Sequence, residues 1–421
     1  EAGRLFEKAG RTSEATKAYR RFLEKGYRNP DVNVKLARSA YEKKQHREVI
    51  ELLQPVGAGR PGDTDVQLML AESYVASGNH TKALEPLKRI LARQPNHLRA
   101  LELAAAAYEK TGELKQASLS YARYLKVHPE GNVDYAFRLG RLYEKRDMTR
   151  IAVSQYTKNT KAYPDDVRSY ERLALLHTKQ KQYRSAQSVL GRAVKLPDAP
   201  PRLERTLAEL YALRNQTTRA AQAYERYLEK VPTDTTALRS LGELHYDRKD
   251  YPKAIEVLSQ AAALLPGDPR THYRLGMAHL HTGEPNKAAS PLQRAHQLDS
   301  GDPRPLKALA ECYRKLDDNK GSIDVLEKLA ALEPERFDLK YELGTRLIRE
   351  GRHRQAAPVL ESAAALNAGA IEVHLKLVEV YRALGNEDKV RVYLEEALKQ
   401  DPSSGEIHRE LGNHYAARGN D

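Results

Sequence analysis

The sequence repeats itself every 34 residues, and a chain with that property folds as a row of similar units, each burying apolar surface against its neighbours. The segment Ala71-Glu-Ser-Tyr74-Val-Ala-Ser-Gly78-Asn-His-Thr-Lys-Ala83 returns as Ala105-Ala-Ala-Tyr108-Glu-Lys-Thr-Gly112-Glu-Leu-Lys-Gln-Ala117. It returns again as Gly276-Met-Ala-His279-Leu-His-Thr-Gly283-Glu-Pro-Asn-Lys-Ala288. Aligned on these segments, units start at 30, 64, 98, 133, 167, 201, 235, 269, 303, 337, 371 and 405. Every interval is 34 except one of 35, where an extra residue sits near Gly131 and Asn132.

Each recurring position has a physical reason. Leu and Tyr three and four residues apart make one apolar stripe on a first helix. Gly78, Gly112, Gly283, Gly351 and Gly385 follow that helix, where a left-handed residue ends it at little cost. Small residues sit where the two helices of a hairpin cross: Ala83, Ala117, Ala152, Ala186, Ala220, Ala254, Ala288 and Ala356. A larger side chain there would push the backbones apart. Pro95, Pro129, Pro164, Pro232, Pro266, Pro334 and Pro402 close the second helix, which proline cannot continue. No stretch alternates as a strand does, so the fold class expected is all-α.

These residues resemble the tetratricopeptide repeat (TPR), whose pattern is Leu-Gly, Tyr, Gly, Ala, an aromatic or Leu, Ala and Pro. The unit from Pro201 reads Leu207-Ala208, Tyr211, Asn215, Ala220, Tyr224, Tyr227 and Pro232. The unit from Thr235 reads Leu241-Gly242, His245, Lys249, Ala254, Leu258, Ala261 and Pro266. The resemblance covers essentially the whole chain, as eleven full repeats with a partial one at each end. It implies a right-handed superhelical solenoid of antiparallel helix pairs. The divisions expected are a partial repeat at 1–29, repeats one to three at 30–132, four and five at 133–200, six to eleven at 201–404, and a lone first helix at 405–421.

Departures from the pattern carry their own expectations. Val49 and Val390 replace the crossing Ala and should open those hairpins slightly, whereas Ser322 is small enough to fit. Pro197-Asp-Ala-Pro200-Pro201 reads as a stiff junction, and Pro55-Val-Gly-Ala-Gly-Arg-Pro-Gly62 as the loosest loop. Phe6, Gly10 and Ala15 match at one end and Leu411-Gly412, Tyr415 and Gly419 at the other. Neither end shows the polar capping helix of a finished solenoid, which points to a longer parent protein.

The charge is uneven. Residues 1–210 hold 39 Lys and Arg against 25 Asp and Glu, whereas residues 211–421 hold 31 against 32. The basic first half invites an acidic partner, whether protein, nucleic acid or an anionic surface. No apolar run approaches the roughly 20 residues needed to cross a bilayer, so membrane insertion is not expected. Cys312 is the only cysteine, which rules out an intramolecular disulfide and reads as a small apolar residue inside a helix. One cysteine does not separate cytoplasm from periplasm.

Catalytic and cofactor signatures fail on context. Gly57-Ala-Gly59-Arg-Pro-Gly62 spells a dinucleotide fingerprint but follows a helix and holds Pro61 inside the turn, so it reads as an inter-repeat loop. His272, His279 and His281 lack the spacing and third ligand of a metal site and read as core or groove residues. Asp317-Asp-Asn-Lys-Gly321 lacks most calcium ligands and falls where a turn belongs. Asn79-His-Thr81 and Asn215-Gln-Thr217 are glycosylation sequons, relevant only to a eukaryotic secretory protein. No position brings an acid, a base and a nucleophile together. No catalytic, cofactor or metal residue is therefore assigned, and an enzyme is not expected.

In the TPR family the first helices line a concave face where peptides bind, with positions 2, 5, 9 and 12 of each repeat pointing inward. Read off repeats 269, 303 and 337, the resemblance implies a partner-binding groove of Arg270, Tyr273, Met277, Leu280, Arg304, Lys307, Arg314, Tyr341 and Ile348. Leu68, Val75 and Phe137 make a smaller second candidate. The Lys and Asn of the chaperone-tail clamp are not reproduced, since Lys307 is followed by Glu311 and Arg409 with Asn413 has no repeat after it. The asparagine ladder of the O-linked N-acetylglucosamine transferase repeats is absent too, with Lys35, Met69 and Leu103 at its position. The function expected is a scaffold docking protein or peptide partners, possibly acidic, on its concave face. One rival is a binder of nucleic acid or another anionic polymer through residues 1–210, disfavoured by the interspersed acids and the lack of an aromatic stacking array. The other is a regulatory or substrate-recruiting arm of an enzyme whose catalytic domain lies elsewhere.

Overall fold

The protein is described by a computed structural model over residues 1–417; the sequence match at Gly419 lies outside these. The described residues hold 25 α-helices and no strand. They fall into two compact units, Glu1–Leu203 and Glu204–Asp421. The helices of the first are α1 (Ala2–Lys8), α2 (Thr12–Glu24), α3 (Pro30–Glu42), α4 (His46–Gly57), α5 (Thr64–Ala76), α6 (His80–Arg93), α7 (Leu98–Thr111), α8 (Leu114–Val127), α9 (Val133–Lys145), α10 (Thr149–Ala162), α11 (Val167–Lys179) and α12 (Tyr183–Ala193). After α13 (Arg202–Leu213), the second continues with α14 (Thr217–Lys230), α15 (Thr235–Asp247), α16 (Tyr251–Leu264), α17 (Pro269–His281), α18 (Pro285–Leu298), α19 (Pro303–Lys315), α20 (Asn319–Leu332), α21 (Phe337–Arg349), α22 (His353–Leu366), α23 (Ile371–Ala383), α24 (Glu387–Gln400) and α25 (Gly405–Ala417).

First helices open at the repeat starts expected from sequence in eleven of twelve cases, the exception being α13, one residue late at Arg202. Consecutive helices pack as antiparallel pairs, and first helices also touch the next first helix, as in α3–α5–α7 and α15–α17–α19. The hairpins of each unit therefore stack in one orientation.

Two position rules fix the hairpin. Position 8 is glycine where position 24 of the same repeat is pressed against it: a Cβ on Gly140 would lie 2.5 Å from the Tyr156 ring, and one on Gly276 would lie 2.5 Å from Leu292 Cγ. The crossing residues are buried, with Ala220, Val49 and Val390 at 0% exposure and Ser322 at 1%. Position 15 is left-handed in all eleven full repeats, whatever the residue. Glycine fills it at Gly78, Gly112, Gly283, Gly351 and Gly385, but Lys44, Asp147, Lys181, Asn215, Lys249 and Asp317 hold the same geometry at φ between 52° and 60°. The turn is thus set by helix packing and imposed on side chains that disfavour it.

The chain-closing prolines behave as expected, with Pro95, Pro129, Pro232 and Pro266 each two residues past a helix end. Pro55 does not. It lies inside α4, which runs on to Gly57, so the loop begins only at Ala58. That loop is also better held than its composition suggests. Buried Gln67 donates Nε2 to the carbonyls of Gly57 at 2.7 Å and Arg60 at 3.0 Å, and Asp63 caps α5.

Candidate partner-binding site

The seams between hairpins decide which first-helix side chains are tied down and which stand open. In the first unit they are closed by a recurring polar triad. Glu144 at the end of α9 accepts the phenol of Tyr156 on α10 at 2.7 Å and Arg172 Nε from α11 at 3.0 Å. Glu109, Tyr121 and Arg138 repeat the arrangement at 3.2 and 3.1 Å, and Glu7, Tyr19 and Lys35 repeat it again. Burial pushes the Glu144 carboxyl up, yet the bonds from Arg172 and Tyr156 outweigh it and hold the group below the usual range. Burial also pushes the Tyr121 phenol up to about 12.

In the second unit the seam is closed by a cation at position 5 of one repeat and the aspartate that caps the next first helix. Arg205 Nη1 reaches Asp234 at 3.0 Å, and Arg239 Nη1 reaches Asp268 at 3.2 Å. The next position 5 is Tyr273, and the series breaks. Asp302, with no cation from the preceding repeat, takes Arg304 of its own helix instead, with Nη2 to Oδ2 at 2.7 Å. These bonds hold the Asp302 carboxyl below the usual range. The cation series resumes with Lys307, which donates to Glu333 at 2.6 Å.

The break leaves a cleft of about 500 Å³ lined by Arg270, Tyr273, Arg274, Asp302 and Arg304, with Glu243 and Asp299 on its walls. Tyr273 is half-buried, and the Arg304 guanidinium lies 5.4 Å from its ring centre. Arg274 lies 4.8 Å from the ring of Tyr246. Arg270 is exposed at the mouth. The cleft offers an aromatic surface, a pre-set guanidinium and both signs of charge, which suits an extended polypeptide better than a small apolar ligand.

Of the nine groove residues expected from sequence, the cleft gathers Arg270, Tyr273 and Arg304. Lys307 is held by Glu333, and Arg314 is exposed on α19. Met277, Tyr341 and Ile348 are half-buried and pack partly on the core, Tyr341 stacking on Phe337 at 5.9 Å. Leu280 requires correction. It is 5% exposed within the core around Leu292, Leu306 and Leu309, and so presents no surface to a partner. In this repeat position 12 faces the seam, as Glu109 and Glu144 do in the first unit, whereas Arg314 at the same position of the next repeat is exposed. Leu68 and Val75 likewise pack on the core, and Phe137 is covered by Arg168 at 4.8 Å.

Glu243, Arg274, Asp299 and Asp302 were not singled out from sequence. The available signal was the pairing of Arg at position 5 with Asp at position 34, present at 205 and 234 and at 239 and 268, and broken at Tyr273.

The remaining candidates resolve locally. His279 meets Glu284 at 3.0 Å, His272 meets the Pro266 carbonyl at 3.1 Å, and His281 stacks on Tyr251 at 4.6 Å, so His272 and His281 lie nearer the surface than a core reading implies. Cys312 is fully buried in α19, and burial pushes its thiol up to about 11. Asp318 caps α20 by accepting from Gly321, which makes Asp317–Gly321 a turn. Among the described residues no cluster of His, Cys, Asp and Glu could hold a metal ion, and no helix is long and apolar enough to cross a membrane.

The fold and its seams define a helical-repeat protein in which each unit aligns its first helices on one face. Family models described as tetratricopeptide repeat match residues 1–54, 173–235, 205–269 and 241–303, and also 40–100 and 347–409. The chain belongs to the tetratricopeptide repeat family. Among solved structures it is similar to YrrB, described as a TPR protein with an unusual peptide-binding site, at 16% identity over 46% of this chain and 98% of that one, with a TM-score of 0.39. It is similar to the Naa15/Naa10 structure bound to HypK-THB at 15% identity, over 92% of this chain and 66% of that one, with a TM-score of 0.44. It is also similar to MamA from Desulfovibrio magneticus RS-1 at 22% identity, over 41% of this chain and 97% of that one, with a TM-score of 0.37. Comparison with curated proteins returns no match.

Proposed function

We propose that the chain is a non-catalytic scaffold that docks protein or peptide partners on its first helices, centred on the cleft between α17 and α19. The observation that carries this reading is the interrupted seam: Arg205 and Arg239 are each tied to the following aspartate, whereas Tyr273 in the same position, half-buried against the core, lines the cleft beside Arg304. An extended segment placing an apolar side chain on Tyr273 and an acidic group near Arg270 matches the lining. Arg304, already fixed by three contacts to Asp302, needs no further ordering when a partner arrives.

The test is capture of partners from the source lysate by the full chain and by two variants. Tyr273→Ala removes the aromatic anchor, and Arg270→Glu reverses an exposed charge without touching the core. Both should lose the same partners while keeping wild-type helical content. Unchanged capture by both variants would overturn the assignment.

A further inference from the structure

The basic surplus of the first unit is not on its first helices. Those six helices carry 12 Lys and Arg against 10 Asp and Glu, whereas the six second helices carry 16 against 5. Within α8, α10 and α12 the segregation is complete: eight cations and no acid. All eight are exposed, and none is in an ion pair among the described residues, although Arg123 contacts Asn96 and Arg192 contacts Tyr170. The inward cations, by contrast, are consumed: Lys35, Arg138 and Arg172 are held by glutamates across the seams.

The eight are also in register. Lys115, Arg150 and Arg184 occupy one repeat position on three successive second helices, and Arg123, Lys158 and Arg192 occupy another, about two turns further along. Lys126 and Lys161 begin a third rank. First and second helices alternate through the stack, so α8, α10 and α12 form one outer layer opposite the first helices. The result is a two-dimensional array of point charges.

Large apolar side chains stand exposed within this array. Leu119 is 55% exposed between Lys115 and Arg123, Ile151 is 43% exposed next to Arg150, and Val127 is 37% exposed next to Lys126. A phosphate backbone gains nothing from such groups. A bilayer uses both kinds, cations at the headgroups and aliphatic side chains at the acyl boundary. We infer that the outer face of α8, α10 and α12 is a peripheral docking surface for an anionic lipid bilayer. This reading is independent of the cleft between α17 and α19.

The test is co-sedimentation of the full chain with vesicles of equal parts phosphatidylglycerol and phosphatidylcholine, and with vesicles of phosphatidylcholine alone. Binding is expected only to the anionic vesicles and should weaken as salt is raised. Lys115→Gln with Arg150→Gln and Arg184→Gln should lower partitioning on the order of 100-fold. Leu119→Ser with Ile151→Ser should lower it further still at high salt, where the apolar contribution dominates. Both variants change only exposed side chains, so their thermal unfolding should match the parent. Three results would overturn the proposal: no binding to anionic vesicles, binding insensitive to the three cations, or binding insensitive to Leu119 and Ile151 with a DNA duplex competing fully. The last would assign the face to nucleic acid.

Discussion

Tyr156 donates its phenol to Glu144 at 2.7 Å from a position 12 residues further along the chain, and so joins the two helices of one hairpin at the point where the next hairpin's Arg172 closes on the same carboxylate. Both Glu144 and Arg172 are largely covered, at 13% and 25% side-chain exposure. Tyr156→Phe should therefore cost about 1–2 kcal/mol, and Glu144→Ala, which strands the phenol and the guanidinium, about 2–3 kcal/mol. Denaturant unfolding measures both. The exposed pair Arg11 and Glu14 should give no measurable change when either is truncated.

The same carboxylate sets an acid limit. Its folded pKa lies below the unfolded value, so the unfolded chain binds the proton first as pH falls. The contribution is whole above the ordinary glutamate value of about 4.3. It is lost as pH falls through the folded value. Glu144→Gln should be less stable than the parent at neutral pH and lose less on acidification, as midpoints measured across that range will show.

Two glycines should answer the same substitution with opposite signs. A Cβ on Gly276 meets Leu292 Cγ at 2.5 Å and the Ala288 carbonyl at 3.2 Å, so Gly276→Ala should destabilise by about 1–3 kcal/mol. Gly191 in α12 has nothing within 4 Å of that position, and Gly191→Ala should stabilise by about 0.5–1 kcal/mol. Thermal unfolding of the pair decides whether the close contact at position 8 holds the hairpin.

Lys249 adopts φ 60° where other repeats have glycine. Lys249→Gly should relieve about 1 kcal/mol of backbone strain. Gly112→Ala, at φ 82°, should cost a similar amount. If Lys249→Gly destabilises instead, the left-handed turn is not strained by its side chain.

These positions show how far the sequence could be read. The period placed the helix starts, the crossing alanines and the closing prolines, because each is a local rule repeated a dozen times. Lys44, Asp147 and Lys249 hid the left-handed turn, since packing imposes a geometry their side chains do not announce. Pro55 read as the start of a loop because a proline in a glycine-rich loop and one tolerated inside a helix look alike in sequence. Of the site, Arg270, Tyr273 and Arg304 were legible from repeat positions. Leu280 was misplaced because its position 12 faces the seam while that of Arg314 stays exposed, a difference a single helix does not reveal. The Glu–Tyr spacing of 12 recurs at Glu7, Glu109 and Glu144, a signal visible in the sequence only once the seam is known to need it.

His245 is 3% exposed, and burial holds its imidazole below the ordinary range despite Asp250 and Glu225 nearby, with Lys253 and Arg248 adding to the depression. It therefore takes up its proton at lower pH in the fold than in the unfolded chain, which binds one below the ordinary value of about 6.5. Stability should fall as pH drops through that window. His245→Gln should flatten the dependence there, measured by unfolding midpoints, and an unchanged slope would mean His245 is not the titrating group.

The central claim, that partners dock where the seam opens at Tyr273, is tested most directly by placing a photo-crosslinking phenylalanine analogue at that position in the full chain. A matched protein carries the analogue at Glu327, exposed on the second helix α20 of the same unit. After irradiation in source lysate, adducts should form at position 273 with a small set of proteins and disappear when Arg270→Glu is added. Adducts that form at Glu327 and not at Tyr273, or that persist unchanged with Arg270→Glu, would contradict the account.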